Sequence, residues 1–319
     1  MFQNRNTQDA EKQAQQTPEQ LLTPPASLWR TTLKRFRRRL SGRLGLAIVA
    51  FVFLVAIFAP ILAPYSPTEQ LIGKENVKIR EKPCIHLLGC PADKPQHWMG
   101  LDGNGRDNLS RIIYGAQISL MVGFFTVGIS LFLGVLLGAI AGYWGGWLDN
   151  VIMRLMDVIL GFPYLLLAIA LVSISETRSI QNAMLAIAIV TMPSYARVIR
   201  ASVLSVKEMD YVAASRALGA SKLRILLTRV LPNAITPLIV LASMNVAGAI
   251  LDAAALSFLG MGAQEPMPEW GQMLSRERAQ VLSAPHGIFF PGLAIMITTL
   301  GFTLLGDGLR DALDPQLND

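Results

Sequence analysis

The chain has 319 residues, of which 52% are hydrophobic and only 16% are charged. A soluble domain carries about 25% charged residues, so this deficit and the mean hydropathy of +0.43 predict a membrane protein. A net charge of +6 is also typical of nucleic-acid-binding proteins. Here, however, Lys and Arg lie mainly beside apolar runs, as they do in membrane proteins. We therefore expect a lipid bilayer, and no nucleic acid, around this chain.

The first segment, residues 1–28, is polar and rich in Gln, Thr and Pro. Because it has too little apolar surface to offset the entropy of ordering, we predict a disordered tail. Residues 29–43 are strongly basic. Their large apolar side chains recur at helical spacing at Trp29, Leu33, Phe36 and Leu40. This pattern predicts an interfacial amphipathic helix, and the alternative is a basic flank ahead of a membrane span.

Six apolar runs are long enough to cross a hydrocarbon core of about 30 Å as helices. They are residues 44–63, 116–143, 151–174, 183–199, 234–259 and 288–305. The membrane domain therefore spans 44–305. Its polar connections are two loops, 65–112 and 262–287, and an elbow at 200–233, and a tail follows at 306–319. We predict an all-α membrane protein with six transmembrane helices.

The orientation follows from the basic residues, which concentrate before the first span and in the elbow at 200–233. Such segments stay in the cytoplasm, and a six-span path places both on one side. Both termini and the elbow are therefore expected in the cytoplasm, and the loops 65–112 and 262–287 outside. In the second span Gly134, Gly138 and Gly142 repeat the GxxxG spacing, which predicts close approach of another helix, and the alternative is that glycine is common in transmembrane helices.

No enzyme site assembles from the sequence. A GxxxxGK[ST] phosphate loop is missing, so we expect neither nucleotide hydrolysis nor a catalytic residue or cofactor in this chain. Cys84 and Cys90 lie in the first outer loop, where an oxidising compartment favours a disulfide over free thiols or a metal. Their spacing with His86 and His97 fits no common zinc pattern, so no metal site is predicted.

Ionisable residues inside spans are informative because each costs about 2.5–3.5 kcal/mol at a helix centre. Asp157 lies in the third span, three residues after Arg154, and the two are expected to interact on one helix face. Asp252 lies deep in the fifth span, with Asn245 two turns before it. Asn245 and Asp252 are candidate substrate-path residues. The alternative for Asp252 is a hydrogen bond that packs the helices of the bundle. A proton relay at Asp157 or Asp252, as in a secondary transporter, is the rival function.

The elbow itself is rich in basic and small residues over 210–237. Gly219 can end a helix with a left-handed cap, and Pro232 is expected to stop the helix that follows. A short helix with a face of small residues, presented to the cytoplasm, is suited to contact with another protein.

This elbow resembles the EAA loop of binding-protein-dependent ABC importer permeases. Ala214 and Ser215 stand for the two alanines of that motif, Gly219 for its glycine, and residues 231–232 for its Leu-Pro end. The chain departs from the motif at Ala213, where the family often has Glu, and at Arg229, where it often has Ile. The missing Glu puts in doubt any salt link carried over for that position.

Three further strings resemble the C-type subunit of the dipeptide/oligopeptide permease branch. They are HWMGLDGNGRDNLSRIIYG at 97–115, DAAALSFLGMGAQEPMPEW at 252–270 and GDGLRDALDP at 306–315. With the spans, the resemblance covers about residues 30–315. It implies a type I ABC importer permease bundle in a bacterial inner membrane, with a sister permease as heterodimer partner. It also implies two ATPase subunits on the cytoplasmic elbows and an extracytoplasmic substrate-binding protein.

The resemblance also implies roles for particular residues. Coupling to the ATPase is expected at Ala213, Ala214, Ser215, Leu218, Gly219, Ala220 and Ser221. The outer mouth, or contact with the binding protein, is expected at Gly100, Asp102, Gly105, Arg106, Asp107 and Trp270. The expected cargo is a dipeptide or oligopeptide, and relatives within the branch carry glutathione, nickel complexes or cationic peptides.

Overall fold

The computed structural model describes residues 36–37 and 39–313, and within them every extended element of regular structure is helical. The main helices are α1 (Leu40–Ile57), α2 (Asn108–Trp144), α3 (Gly146–Leu160), α4 (Tyr164–Ile174), α5 (Ile180–Val206), α6 (Asp210–Ala217), α7 (Thr236–Phe258), α8 (Trp270–Glu277) and α9 (His286–Leu313). Single turns occupy Ala59–Leu62, His86–Leu88, Lys222–Ile225, Leu226–Val230, Leu231–Ala234 and Arg278–Gln280. The predicted tail at 1–28, most of the amphipathic segment at 29–43 and the last residues of the 306–319 tail lie outside the described residues.

The spans agree with the apolar runs of the sequence. Five helices, α1, α2, α5, α7 and α9, are long and apolar enough to cross a membrane, and α3 with α4 forms a sixth span if the bent pair is counted as one. Each predicted run falls on one of these elements. The prediction of an all-α membrane bundle is confirmed.

The third span differs from its prediction as one continuous helix. It consists of α3 and α4, whose axes meet at 96° across a short break. Gly161 ends α3, and Pro163 stands immediately before α4. Proline has no N–H for the helical ladder, and it disfavours helical dihedrals in the residue before it. The prediction of one continuous helix over the third span was therefore wrong, because Gly161 and Pro163 break it into two helices.

Helices α2 and α5 form the most extensive helix pair of the bundle. A Cβ added at Gly134 would lie 2.6 Å from the Tyr195 Cβ, and one at Gly142 would lie 2.9 Å from the Arg200 carbonyl oxygen. These glycines therefore allow the two backbones to come close, which confirms the prediction from their GxxxG spacing. Helix α7 packs against α9, α2 and α5, and α1 packs mainly on α9.

The chain leaves the elbow without the helix stop that was predicted at Pro232. The one-turn segment Lys222–Ile225 passes into a π-helical turn, Leu226–Val230, and then into Leu231–Ala234, which contains Pro232. In a π turn the hydrogen bonds skip one residue more than in an α-helix. The insertion thus shifts the ladder just before the residue that cannot donate to it, and the prediction of a stop was wrong.

Candidate functional site

The elbow is built around one short helix, α6, that is anchored by a single side chain. Val212 is completely buried, whereas Ala213, Ala214 and Ala217 are exposed. The Ser215 hydroxyl donates to the Tyr211 carbonyl oxygen at 2.8 Å, so it is satisfied within the helix. One face of α6 therefore holds the elbow to the bundle, and the face of small residues is open.

A complete Schellman motif ends α6 at Gly219. The Ala220 N–H donates to the Ser215 carbonyl oxygen and the Gly219 N–H donates to that of Arg216, which is the paired arrangement of this cap. Gly219 has φ +80°, so the predicted left-handed cap is confirmed. A Cβ added there would meet nothing within 4 Å. Within the chain, the constraint on Gly219 is therefore conformational and not steric.

The exposed residues of 213–224 form what we call the elbow surface. Leu218 at its tip is 88% exposed, and Leu223 is 57% exposed. Arg216, Lys222 and Arg224 are also exposed and add positive charge. On the other side of this segment, Ile225 is buried in the same apolar core as Val212. The elbow surface therefore combines apolar and basic groups on a support that is fixed to the bundle.

Asp157 pairs with a different arginine from the one predicted. Its carboxylate accepts a hydrogen bond from Arg197 of α5 at 2.6 Å, and both side chains are about half exposed, at 53% and 52%. The expected partner on its own helix, Arg154, makes no salt bridge with it. The helix α5 lies closer to this face of α3 than the sequence alone could show.

The two substrate-path candidates on α7 have different surroundings. Asn245 donates to the hydroxyl of Tyr195 at 2.9 Å, and Tyr195 is only 1% exposed. Asp252 accepts a hydrogen bond of 2.8 Å from Tyr164, the first residue of α4. Asn245 thus joins α7 to α5, and Asp252 joins α7 to the bent span. That either residue lines the substrate path stays a prediction.

The residues predicted for the outer mouth are mostly buried in the isolated chain. The Asp102 carboxylate accepts hydrogen bonds from the backbone N–H groups of Asn104 and Arg106 and from the Arg106 side chain. Asp107 caps the start of α2 by accepting from the Ser110 N–H at 2.8 Å. Trp270 donates to the Ile112 carbonyl oxygen at 3.1 Å. These side chains organise the outer loops, and their contact with another protein stays a prediction.

The two glycines of this predicted mouth supply turns within the same loop. Gly100 has φ +71° and Gly105 has φ +69°, and both are buried. A Cβ at Gly100 would lie 2.8 Å from the His286 ring, so the loop also needs the space.

Ion pairs that the sequence did not reveal join the first outer loop to the second. Arg106 binds Glu265 at 3.1 Å, and Arg80 binds Glu277 at 2.7 Å. Burial alone would raise the pKa of Glu265, but the charges of Arg106 and Arg276 outweigh it and hold that pKa below its usual value. Loops that are far apart in sequence therefore form one layer, which we call the outer cap, comprising residues 65–107 and 262–287.

The cap also contains the two cysteines and a buried histidine. Cys84 and Cys90 are bonded to each other, with Cα atoms 5.4 Å apart, a separation usual for disulfides. His97 lies between Asp107 and Glu75, at 3.1 Å and 3.2 Å from their carboxylates. Among the residues that the structure describes, no group of three His, Cys, Asp or Glu could hold a metal ion.

Comparison with known proteins gives a consistent result. Residues 134–319 match the family described as binding-protein-dependent transport system inner membrane component, and residues 27–83 match the N-terminal TM domain of oligopeptide transport permease C. The dipeptide transport system permease protein DppC of Alkalihalophilus pseudofirmus is 45% identical over 307 residues, covering 94% of this chain and 96% of that protein. The glutathione transport system permease protein GsiD of Escherichia coli O157:H7 is 43% identical over 300 residues, covering 94% and 93%.

A solved structure of the MetNI methionine ABC transporter, in an inward-facing conformation, is similar in fold. The TM-score is 0.52 at 17% identity, and the match covers 64% of this chain and 96% of that chain. This likeness concerns the fold, which is that of a type I ABC importer permease. The family match covers more than half of the chain, and the full-length relatives agree with it. This chain therefore belongs to the family of inner membrane components of binding-protein-dependent transport systems.

Proposed function

We propose that this chain is the pore-forming subunit of an ATP-driven importer of dipeptides or oligopeptides, and that it couples ATPase closure to alternating access. The substrate class follows the 45% identical dipeptide permease, which is similar over almost the whole chain. A second candidate cargo, glutathione, is favoured by relatives at 43% identity. Glutathione is itself a small peptide, so both candidates belong to one chemical class.

The observation that carries this proposal is the elbow surface. A bilayer does not cover a cytoplasmic segment, yet Leu218 and Leu223 are left exposed there. Exposed apolar groups with basic neighbours on a rigid support suit a protein partner. We assign this partner as an ATPase subunit, because the chain has no phosphate loop and its family works in binding-protein-dependent transport systems.

The mechanism follows from what holds the elbow. The ATPase subunits close when they bind ATP and push on α6, and Val212 and Ile225 transmit the push because both lie in the bundle core. Helices α2 and α5 are in close backbone contact and move as a unit. A rigid-body shift of this kind turns the bundle from inward-open to outward-open. The complete importer comprises a sister permease, two ATPase subunits and an extracytoplasmic binding protein.

The first test changes Leu218, at the tip of the elbow surface, to Asp. In co-expression with the ATPase subunits, Leu218→Asp is expected to reduce their co-purification at least about tenfold, because an apolar contact is replaced by a buried charge. Leu282→Asp is the matched control, since Leu282 is 95% exposed but lies in the outer cap. It should leave co-purification unchanged.

The second part of the test is uptake by proteoliposomes that contain the complete importer. Uptake of a dipeptide should require ATP and the binding protein. Equal recovery of the ATPase subunits with Leu218→Asp would contradict the proposed docking site. Uptake by this chain alone, driven by a proton gradient without ATP, would instead support the rival secondary transporter.

A further inference from the structure

The carboxylate of Asp252 is half-buried on α7 and has one hydrogen-bond partner among the described residues. Its Oδ1 accepts a hydrogen bond from the Tyr164 hydroxyl. Among the described residues, 36–37 and 39–313, it has no other hydrogen-bond donor, and no Lys, Arg or His nitrogen lies within 4 Å of it. One carboxylate oxygen is thus free to accept a hydrogen bond from a molecule outside this chain.

There is open space beside this carboxylate. Gly248 lies one helical turn before Asp252, so both residues share a face of α7. Gly248 is exposed, and a Cβ added there would meet nothing within 4 Å. Tyr164, the hydrogen-bond partner of Asp252, is 52% exposed. The face of α7 that carries Asp252 is therefore open at Gly248, one turn away, which leaves room for a small ligand beside the carboxylate.

An exposed carboxylate on a span is not expected to face lipid. A charged side chain in contact with hydrocarbon is costly, so intramembrane charges lie toward a bundle interior or a water-filled cavity. The half-exposed pair Asp157–Arg197 lies on the neighbouring α3 and α5, and the same reasoning applies to it. The exposed charged groups on the spans are therefore expected to face water or the sister permease, as the lining of a translocation path does.

We propose that Asp252 and Tyr164 bind the protonated α-amino group of the transported peptide. An ammonium group has three N–H donors, and its hydrogen bond to a carboxylate is charge-assisted. Tyr164 holds one oxygen of Asp252 and leaves the other for the ammonium, while the missing side chain at Gly248 gives room for the peptide backbone. This inference rests on the proposed function, because a peptide is the substrate it requires.

The test measures binding of a dipeptide to the permease itself. The complex of both permease chains and the ATPase subunits is placed in nanodiscs without the binding protein, which would otherwise select the substrate. The probe is alanyl-phenylalanine at millimolar concentration, observed by saturation-transfer NMR. Its N-acetylated form is the second probe, because it has the same side chains but no ammonium group.

The proposal predicts that Asp252→Asn weakens binding of alanyl-phenylalanine about tenfold to a hundredfold, the usual effect of losing a hydrogen bond to a charged group. Asp252→Glu should restore most of the binding. Gly248→Val should also weaken it by filling the space beside Asp252. The control variant is Gly128→Val, at another glycine with open space on a span. It should bind as the wild type does.

Three results would overturn this inference. They are equal binding by the wild type and Asp252→Asn, equal binding of the free and N-acetylated probes, and no binding by the wild type at millimolar concentration. Co-purification of the ATPase subunits and ATP-dependent uptake are measured on the same preparations. If those two hold while binding is independent of Asp252, the amino-group site is wrong and the importer function stands. If they fail, the proposed function itself is wrong.

Discussion

Gly138 has the tightest contact with α5 among the three repeated glycines of α2. A Cβ added there would lie 2.8 Å from the Ala196 Cα and would collide with backbone, which cannot rotate away as a side chain can. Gly138→Ala should therefore push the helices apart and lower the stability of the protein by about 1–3 kcal/mol, the usual cost of overpacking. Thermal melting followed by fluorescence-detected size exclusion would show this as a lower midpoint.

Gly128 provides the matched control for this substitution. It lies on the same helix, but a Cβ there would meet nothing within 4 Å. Gly128→Ala should melt at or slightly above the wild-type temperature, because Ala favours a helix over Gly by about 1 kcal/mol. If the two variants melted together, the contact between α2 and α5 would not depend on the glycine.

The residues differ in how far the sequence could predict them. Gly134, Gly138 and Gly142 repeat at a spacing that favours close helix packing, so their role could be predicted from the sequence. The partner of Asp157 was not, because Arg154 and Arg197 are both compatible with it in sequence. Arg197 is the partner because the structure places α5 beside α3, which the sequence does not show. Likewise, the partners of Arg106 and Arg80 lie in the second outer loop, far away in sequence.

At the scale of elements, the outer cap should be sensitive to pH through His97. Burial lowers the pKa of this ring, but its hydrogen bonds and charge interactions with Asp107 and Glu75 outweigh burial, and the pKa is raised above its ordinary 6.5. A raised pKa in the folded state contributes stability below the ordinary pKa, and that stability is lost as the pH rises through the raised value. The cap should therefore loosen as the pH rises from below the ordinary pKa of histidine through the raised pKa of His97.

Hydrogen exchange of the amides in residues 84–107, corrected for the intrinsic effect of pH, measures this loosening. A glutamine at position 97 is neutral at every pH. His97→Gln should therefore remove the difference between exchange rates measured below and above the raised pKa of His97. His86→Gln is the control, because His86 is an exposed histidine of the same loop. The same pH response in the wild type and His97→Gln would show that another group is responsible.

Two elements show where a pattern of apolar residues is insufficient. The third apolar run has the length of a span, and its hydropathy hides the 96° break between α3 and α4. Gly161 and Pro163 were signals of that break, but they stand inside a run that is otherwise apolar. Pro232 had the opposite effect, since it predicted an end where a π turn lets the chain continue. A proline therefore removes one backbone hydrogen bond from the helix. Whether the helix ends there depends on the conformation of the neighbouring backbone.

At the scale of the whole molecule, the elbow surface and the outer cap lie at opposite ends of one packed bundle. The cap joins the start of α2 to α8 and α9 through Arg106, Trp270 and His286. The elbow joins the end of α5 to the start of α7 through its buried residues. A push at the elbow should therefore reach the cap through packed helices, and changes at one end should act on transport without unfolding the other.

Gly219 allows this to be tested, because the chain has a second glycine with the same backbone state. Gly260 follows α7 at the end next to the outer cap, with φ +78° against +80° for Gly219, and a Cβ would meet nothing within 4 Å at either position. Aspartate at each site thus has a similar conformational cost, about 1–2 kcal/mol for a left-handed residue.

If Gly219 faces an ATPase subunit, Gly219→Asp should abolish uptake at normal abundance of the protein, whereas Gly260→Asp should retain most of it. Uptake is measured in proteoliposomes with the complete importer. Equal loss in both variants would mean that backbone strain alone is responsible, and robust transport by Gly219→Asp would contradict coupling through the elbow.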